Sequence, residues 1–382
     1  MMRVVYLSCI PLSAKVARDW YIDHLLDSGV DLQFWDITQL LRGKVNEHHQ
    51  QQAAYVRELD ALPLLEQAII AYRDAVFVLL VPKTWQFKSV FRLLSRHLCK
   101  TAIVKWGAMP SYAPSSRNTV LHLLRSPYLL LSKIKNRCHA FLLNSPRYGR
   151  RYDLVFAAGQ VMLAQSGAAA KTVAIGLCDY DQYTLACSSE RLVASRYAVF
   201  LDIYLPYQSD LPLVGMQAVN PATYFAALHR FFSLIESRYG LEVVIATHPK
   251  ARYLDNEYRG RKLIHGKTPE LVKDAELVLC HASTSVSYAV LNRKPLWLIY
   301  TDEMARLYEQ NFMRQIRNLA AYLKTPLLNA TQAEQNDLPP LEPPNEEAYA
   351  NYQRDFIVTP DVTGGQSKEI FLRALRALAH SA

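Results

Sequence analysis

The sequence predicts an α/β protein made of two doubly wound parallel-sheet domains and a returning tail. Three observations carry that reading. The chain has 382 residues, the length of two domains at about 100–200 residues each. Short apolar segments alternate with longer segments of helical period, as in parallel strands joined by right-handed crossovers. The alternation also occurs twice, on either side of the polar stretch "ACSSERLVASRY" at 185–196.

In the first half, "RVVYLSCI" (3–10) reads as a buried strand, and the segment 14–29 as a helix stopped by Gly29. Strands follow at 30–37, 75–82, 101–107, 152–159 and 171–177, with a helix over 58–72 opened or interrupted by Pro63. The segment 117–137 is amphipathic and basic. In the second half, strands are predicted at 197–206, 241–249, 276–282 and 295–302. The helices between them cover 221–240, closed by Gly240, 268–275, with Thr268 as N-cap, and 284–293. The Pro-rich, acidic stretch 333–347 reads as an extended crossing segment. A helix over 367–380 closes the chain and packs back toward the first domain. The predicted domains are 1–190, 191–340 and a 341–382 tail.

Composition is that of an ordinary globular chain, 51% hydrophobic and 20% charged. No apolar run approaches the roughly 20 residues of a membrane span. The first apolar stretch is too short for a signal peptide and reads as a strand. The six cysteines, with no CxxC pair, fit buried free thiols in a reducing cytoplasm. Their spacing to histidine suggests no zinc. Net charge is +9, unevenly spread: no Asp or Glu lies between Asp74 and Asp153, while Lys and Arg recur from Lys83 to Arg151. A one-sign region of this size suits a polyanion or an anionic membrane surface. No nucleic-acid-binding motif accompanies it.

Ligands of open α/β sheets bind at the carboxyl ends of strands. In the second half those ends carry Asp202 in "FLDIYLP", His248 in "ATHPK", and Ser283, Thr284 and Ser285 in "CHASTS". Three hydroxyls where a strand gives way to a helix make a phosphate cradle without a glycine-rich loop, using the turn's N–H groups and the helix dipole. The plainer alternative is a helix cap. Pro249 holds His248 extended, as a phosphate donor or general acid, with Lys250 adding charge. His281 is read as structural. Asp202 is a candidate base or nucleophile at an anomeric carbon, in a loop that also offers Tyr204 and Gln208 to an acceptor or cleft. Asp179 and Asp181 rank below it as cleft candidates. Lys267 and Thr268 start a short helix whose loop is placed to contact a base or ribose, with backbone groups after Lys262–Ile264 reading a pyrimidine edge.

Two such domains and a tail resemble the GT-B architecture, two Rossmann-like domains facing a cleft. The segments "FLDIYLP", "VVIATHPK" and "KTPELVKDAELVLCHASTSVSYAVLNRKPLWLIY" resemble bacterial surface-polysaccharide glycosyltransferases that use CMP-activated acidic sugars. The His-Pro pair and Ser/Thr cluster are shared in type with bacterial sialyltransferases. The nearer likeness, over roughly 195–305, is to the β-Kdo transferases of lipopolysaccharide O-antigen and capsule synthesis. That resemblance implies transfer of Kdo from CMP-Kdo to a glycan or lipid-linked glycan, with Asp202 as nucleophile and net retention. His248 and Ser283–Ser285 would hold the CMP phosphate. The sialyltransferase likeness implies instead a first-domain carboxylate base and inversion, with Asp179 and Asp181 the nearest acids. A single donor phosphate neutralised by protein groups needs no metal, so neither metal nor cofactor is expected. The expected location is the cytoplasm, with peripheral contact to the inner membrane through 83–151. Two alternatives stay open. One is a transferase using a UDP- or GDP-sugar or CDP-glycerol, with Asp302 or Glu303 on the ribose. The other is a non-catalytic glycan- or membrane-binding module.

Overall fold

The structure, a computed structural model, describes residues 2–42, 53–111, 135, 137–149, 151–166, 170–208, 211, 216–253, 256–309, 312–332, 337–362 and 367–381. The chain divides into two compact units: Met1–Trp106, Ala113–Ile175 and Gln366–Ala382 in the first, Gly107–Tyr112 and Gly176–Gly365 in the second. Residues 176–190, placed with the first domain from sequence, thus cluster with the second.

The first unit holds strands β1 (Arg3–Ser8), β2 (Asp31–Asp36), β3 (Val56–Glu58), β4 (Val76–Leu80), β5 (Lys100–Lys105), β6 (Leu154–Ala158) and β7 (Lys171–Ile175). They form one parallel sheet in the order β3-β2-β1-β4-β5-β6-β7. Alternate residues of β1 enter opposite cores, because a strand has a period of two. Val4 and Tyr6 pack on one face with α1 (Ala14–Asp19), α2 (Ile22–Asp27) and the closing helix. Val5 and Leu7 pack on the other, with helices at Leu62–Ala71 and Lys88–Arg96.

The single helix predicted over 14–29 is two. Tyr21 takes a left-handed φ of 57° between them, and its ring packs on Phe371. The short strand β3 lies where a helix start was predicted, and Pro63 opens the helix after it. Most of the 117–137 segment lies outside the described residues.

The second unit holds β8 (Tyr197–Leu201), β9 (Glu242–Thr247), β10 (Leu263–His265), β11 (Leu277–Cys280), β12 (Leu296–Tyr300) and β13 (Leu327–Asn329). They form a parallel sheet in the order β10-β9-β8-β11-β12-β13. Both sheets therefore share the 3-2-1-4-5-6 order of doubly wound folds, reversing direction beside the first strand of each. Every residue of β8 and β11 is buried, as expected of strands covered on both faces. A long helix, Pro221–Tyr239, is capped by Asn220, whose side chain accepts from Thr223 N, and ends at left-handed Gly240. Short helices follow at Thr268–Asp274, Val286–Leu291 and Asp302–Tyr308, then one at Phe312–Leu323. Thr268 is the first helical residue rather than the cap, and Lys267 holds the cap position without a side-chain bond. The helix Ser367–His380 returns to the first unit and packs on β4, β5 and β7. Among the described residues no helix is long and apolar enough to cross a membrane. The six cysteines form no disulfide; Cys138 and Cys187 are exposed rather than buried.

Candidate active site

In the second sheet the order reverses between β8 and β11. The loops after these two strands, and after β9 beside them, carry Asp202, Ser283–Ser285 and His248. Sequence and topology thus bring the main candidates to one switch point.

Asp202 follows β8 and is 6% exposed. Its N–H continues the ladder to Ala246 O at 3.1 Å. One carboxylate oxygen accepts from Tyr204 N at 2.8 Å and Tyr258 Oη at 3.2 Å. The other accepts from His248 N at 3.3 Å and Tyr253 Oη at 2.6 Å. Two donors on each oxygen fill the carboxylate's main acceptor capacity. Burial and the adjacent charge of Asp202 raise the Tyr253 and Tyr258 phenols far above their ordinary values, so both remain donors. The carboxylate ties the β8 loop, the β9 loop and the tyrosine pair together. Its bond to Tyr204 N also supports the left-handed backbone there, φ 57°.

The Tyr204 ring lies parallel to that of His248, with centroids 6.5 Å apart, and its hydroxyl donates to Arg252 O at 3.2 Å. The Nδ1 of His248 accepts from Lys250 N at 3.1 Å, which puts the proton of the neutral ring on Nε2. His248 therefore presents an N–H donor from a fixed backbone. Lys250 contributes its main chain to that orientation, and its side chain is exposed.

The hydroxyl turn is built differently from a dipole-driven cradle. Ser283 Oγ accepts from Ser285 N at 3.3 Å. The N–H groups of Val286, Ser287 and Tyr288 close tight bonds to the carbonyls of Ser283, Thr284 and Ser285. Those main-chain donors are engaged locally, and the helix that follows has only six residues. What remains toward a ligand is side-chain chemistry. The hydroxyls of Thr284 and Ser285 have no hydrogen-bond partner among the described residues. Behind the turn, Asp179 accepts from Ser287 Oγ at 2.5 Å and Tyr288 Oη at 3.1 Å. Asp179 thus anchors the helix after the turn, from the first turn of the helix Cys178–Ala186. Asp181, half-buried, lies in the same first turn.

The remaining candidates separate. Lys267 pairs with Glu270 at 2.9 Å. Lys262 O accepts from Ile245 N, and Leu263 and Ile264 pair with β9 as part of β10, the edge strand of the sheet. Asp302 accepts from Asn329 Nδ2 at 2.6 Å and Gln332 Nε2 at 3.2 Å. Glu303 accepts from Asn220 N and Thr223 Oγ1, tying two helix starts together. Gln208 lines a cavity of about 510 Å³ with Ile203, Leu205, Arg314, Gln315 and Asn318. His281 is fully buried, and burial lowers its pKa to about 4. The neutral ring donates through Nδ1 to Ile299 O at 2.6 Å and accepts from Tyr224 Oη at 2.9 Å, a structural role. Among the described residues no cluster of three or more His, Cys, Asp or Glu is arranged to hold a metal.

Tyr253 and Tyr258 escaped the sequence reading, as did Arg314. The tyrosines stand in "ARYLDNEYRG", whose aromatic pair is visible but whose target, 51 and 56 residues upstream, is not.

These features define a GT-B-type fold, with two Rossmann-like parallel-sheet units. No family model matches the chain, and no curated protein does. Among solved structures, it is similar to the UDP-GlcNAc 2-epimerase of Methanocaldococcus jannaschii, at 14% identity and TM-score 0.50 over 99% of this chain and 100% of that one. The UDP-GlcNAc 2-epimerase of Neisseria meningitidis bound to UDP-GlcNAc is similar at 12% identity and TM-score 0.50, with the same coverage. Acinetobacter baumannii MurG follows at 7% identity and TM-score 0.50, again over 99% and 100%. At these identities the likeness establishes the fold.

Proposed function

We propose that this chain is a glycosyltransferase that binds a nucleotide-activated sugar at the second unit's switch point. The observation that carries the reading is the pair of unpartnered hydroxyls, Thr284 and Ser285, at the same sheet edge as an Nε2-protonated His248. A departing nucleotide phosphate gains negative charge. Preorganised hydroxyl and imidazole donors stabilise that charge as it develops, with the Nε2 N–H of His248 hydrogen-bonding the leaving oxygen.

The preferred donor is a CMP-activated acidic sugar of the Kdo type, supported by the resemblance over 195–305. The acceptor is a glycan or lipid-linked glycan, with the basic region of the first unit held near an anionic membrane face. Asp202 acts as a positioning residue that sets the His248 backbone. The retaining route through Asp202 would require the carboxylate to shed two of its donors first. A second reading, a UDP-sugar enzyme, has its support in the Neisseria meningitidis structure, which holds UDP-GlcNAc on the same fold.

Calorimetric titration with CMP, UDP, GDP and CDP tests the proposal. CMP is expected to bind, with affinity falling about tenfold or more in Thr284→Ala/Ser285→Ala and in His248→Ala. Preference for UDP would move the assignment to the second reading. No nucleotide binding at all would leave a non-catalytic module.

A further inference from the structure

A second cavity, of about 630 Å³, lies at the opposite edge of the same sheet. Its walls are the carboxyl half of the Pro221–Tyr239 helix and the turn before β10. Glu242, the first residue of β9, lies on its rim. This is the amino-end edge of the strands, away from Asp202, His248 and the hydroxyl turn.

Three arginines line it. Arg261 is built in: it grips both oxygens of Glu236 at 2.7 and 2.8 Å, donates to Ser233 Oγ at 3.0 Å and to His229 Nδ1 at 2.9 Å, and lies over the Phe232 ring. That pairing neutralises Glu236. Glu242 is held by the Ser195 hydroxyl. Arg230 and Arg259 are exposed and have no carboxylate partner among the described residues. Burial first, and then the charges of Arg259 and Arg261, lower the pKa of His229 to about 4. The buried ring is neutral and serves as an acceptor.

Arg259 is also conformationally unusual. It holds a left-handed φ of 48°, directly before Gly260 at 78°. Glycine or asparagine would take that turn more easily. Among the described residues, five other non-glycine positions share that backbone region; what sets Arg259 apart is an exposed guanidinium lining the cavity.

We propose that this cavity is a second ligand site, taking a phosphate-bearing small molecule of sugar-phosphate or nucleotide size. Arg230 and Arg259 make the charge-assisted contacts, and the Arg261–Glu236 pair forms the floor. Planar guanidinium forks match phosphate oxygens, and the volume lies in the range of small-molecule sites. The site stands apart from the donor-site reading and survives its failure.

The test is titration of the full chain with inorganic pyrophosphate, with malonate as a dicarboxylate control. In the Thr284→Ala/Ser285→Ala background, which removes the proposed donor-site hydroxyls, saturable pyrophosphate binding is expected, and adding Arg230→Ala/Arg259→Gly weakens it about tenfold or more. Malonate is expected to bind much more weakly. Arg259→Gly alone should melt at or above the wild-type temperature, since it relieves the turn. Equal pyrophosphate affinity in the double arginine variant overturns the proposal. So does malonate binding as tightly as pyrophosphate, or a lower melting temperature for Arg259→Gly.

Discussion

The two units share a strand order but not the chemistry of their switch points. In the first unit, the loop after β1 closes on itself. Ser8 is buried, its hydroxyl donates to Ile10 O at 2.6 Å, and Ile10 N donates back to it at 3.1 Å. Cys9 Sγ points to Leu80 O across the switch, and Lys83 after β4 caps Gly149 O and lies over Phe91 and Tyr152. Burial lowers the pKa of that lysine. In the second unit, the Thr284 and Ser285 hydroxyls have no hydrogen-bond partner among the described residues, at the sheet edge that also carries His248. The same backbone frame thus supports a closed edge in one unit and a donor-rich edge in the other, because the site resides in the loops and not in the fold.

The largest expected effect tests whether Asp202 belongs to structure or to chemistry. Asp202→Asn keeps the shape but faces an amide N–H₂ toward groups that donate. Loss of at least two of the four bonds is expected to destabilise the protein by about 3 kcal/mol, read by urea denaturation. A variant that unfolds at the wild-type midpoint yet loses sugar transfer by orders of magnitude would return the carboxylate to the role of nucleophile.

A smaller effect comes from the buried imidazole between β11 and the Tyr224 helix. His281 has a folded pKa of about 4 against an unfolded value near 6.5. Its depressed value means the unfolded state binds the proton first, so stability is full above about pH 6.5 and declines as pH falls toward 4. At pH 5 the decline from this group is about 2 kcal/mol. Chemical denaturation at pH 7 and pH 5 measures it, and His281→Gln should flatten the dependence. An unchanged pH slope in that variant would mean that other groups, such as His229, carry it.

The smallest effect sharpens the contrast between the edges. Ser8→Ala removes one local hydroxyl pair and is expected to cost about 1 kcal/mol with no change in nucleotide affinity. Weakened nucleotide binding in Ser8→Ala would make the first unit's edge a participant and erase the distinction.

Much of this was legible before any coordinates. Wholly apolar strands such as "YAVFL" and "LVLC" announced a parallel sheet, since only strands covered on both faces can be apolar throughout. Gly240 announced its helix end. The positions of Asp202, His248 and the triplet at strand ends followed from the same pattern. The boundaries did not: the 14–29 helix breaks at Tyr21 because tertiary packing holds a left-handed residue that local propensity disfavours. Nor was β3 legible, because three residues carry too little periodicity to register.

Periodicity and residue type alone determined the α/β class, the doubled alternation and the candidates at the second sheet's edge. These are local properties, fixed by which side chains alternate along a few residues. Which candidate does what was decided only in three dimensions. Tyr253 and Tyr258 fill the oxygens of Asp202 from 51 and 56 residues away, and Asp179 reaches the helix behind the hydroxyl turn across more than 100 positions. Whether a carboxylate is open or saturated depends on donors that the chain brings together only when it folds.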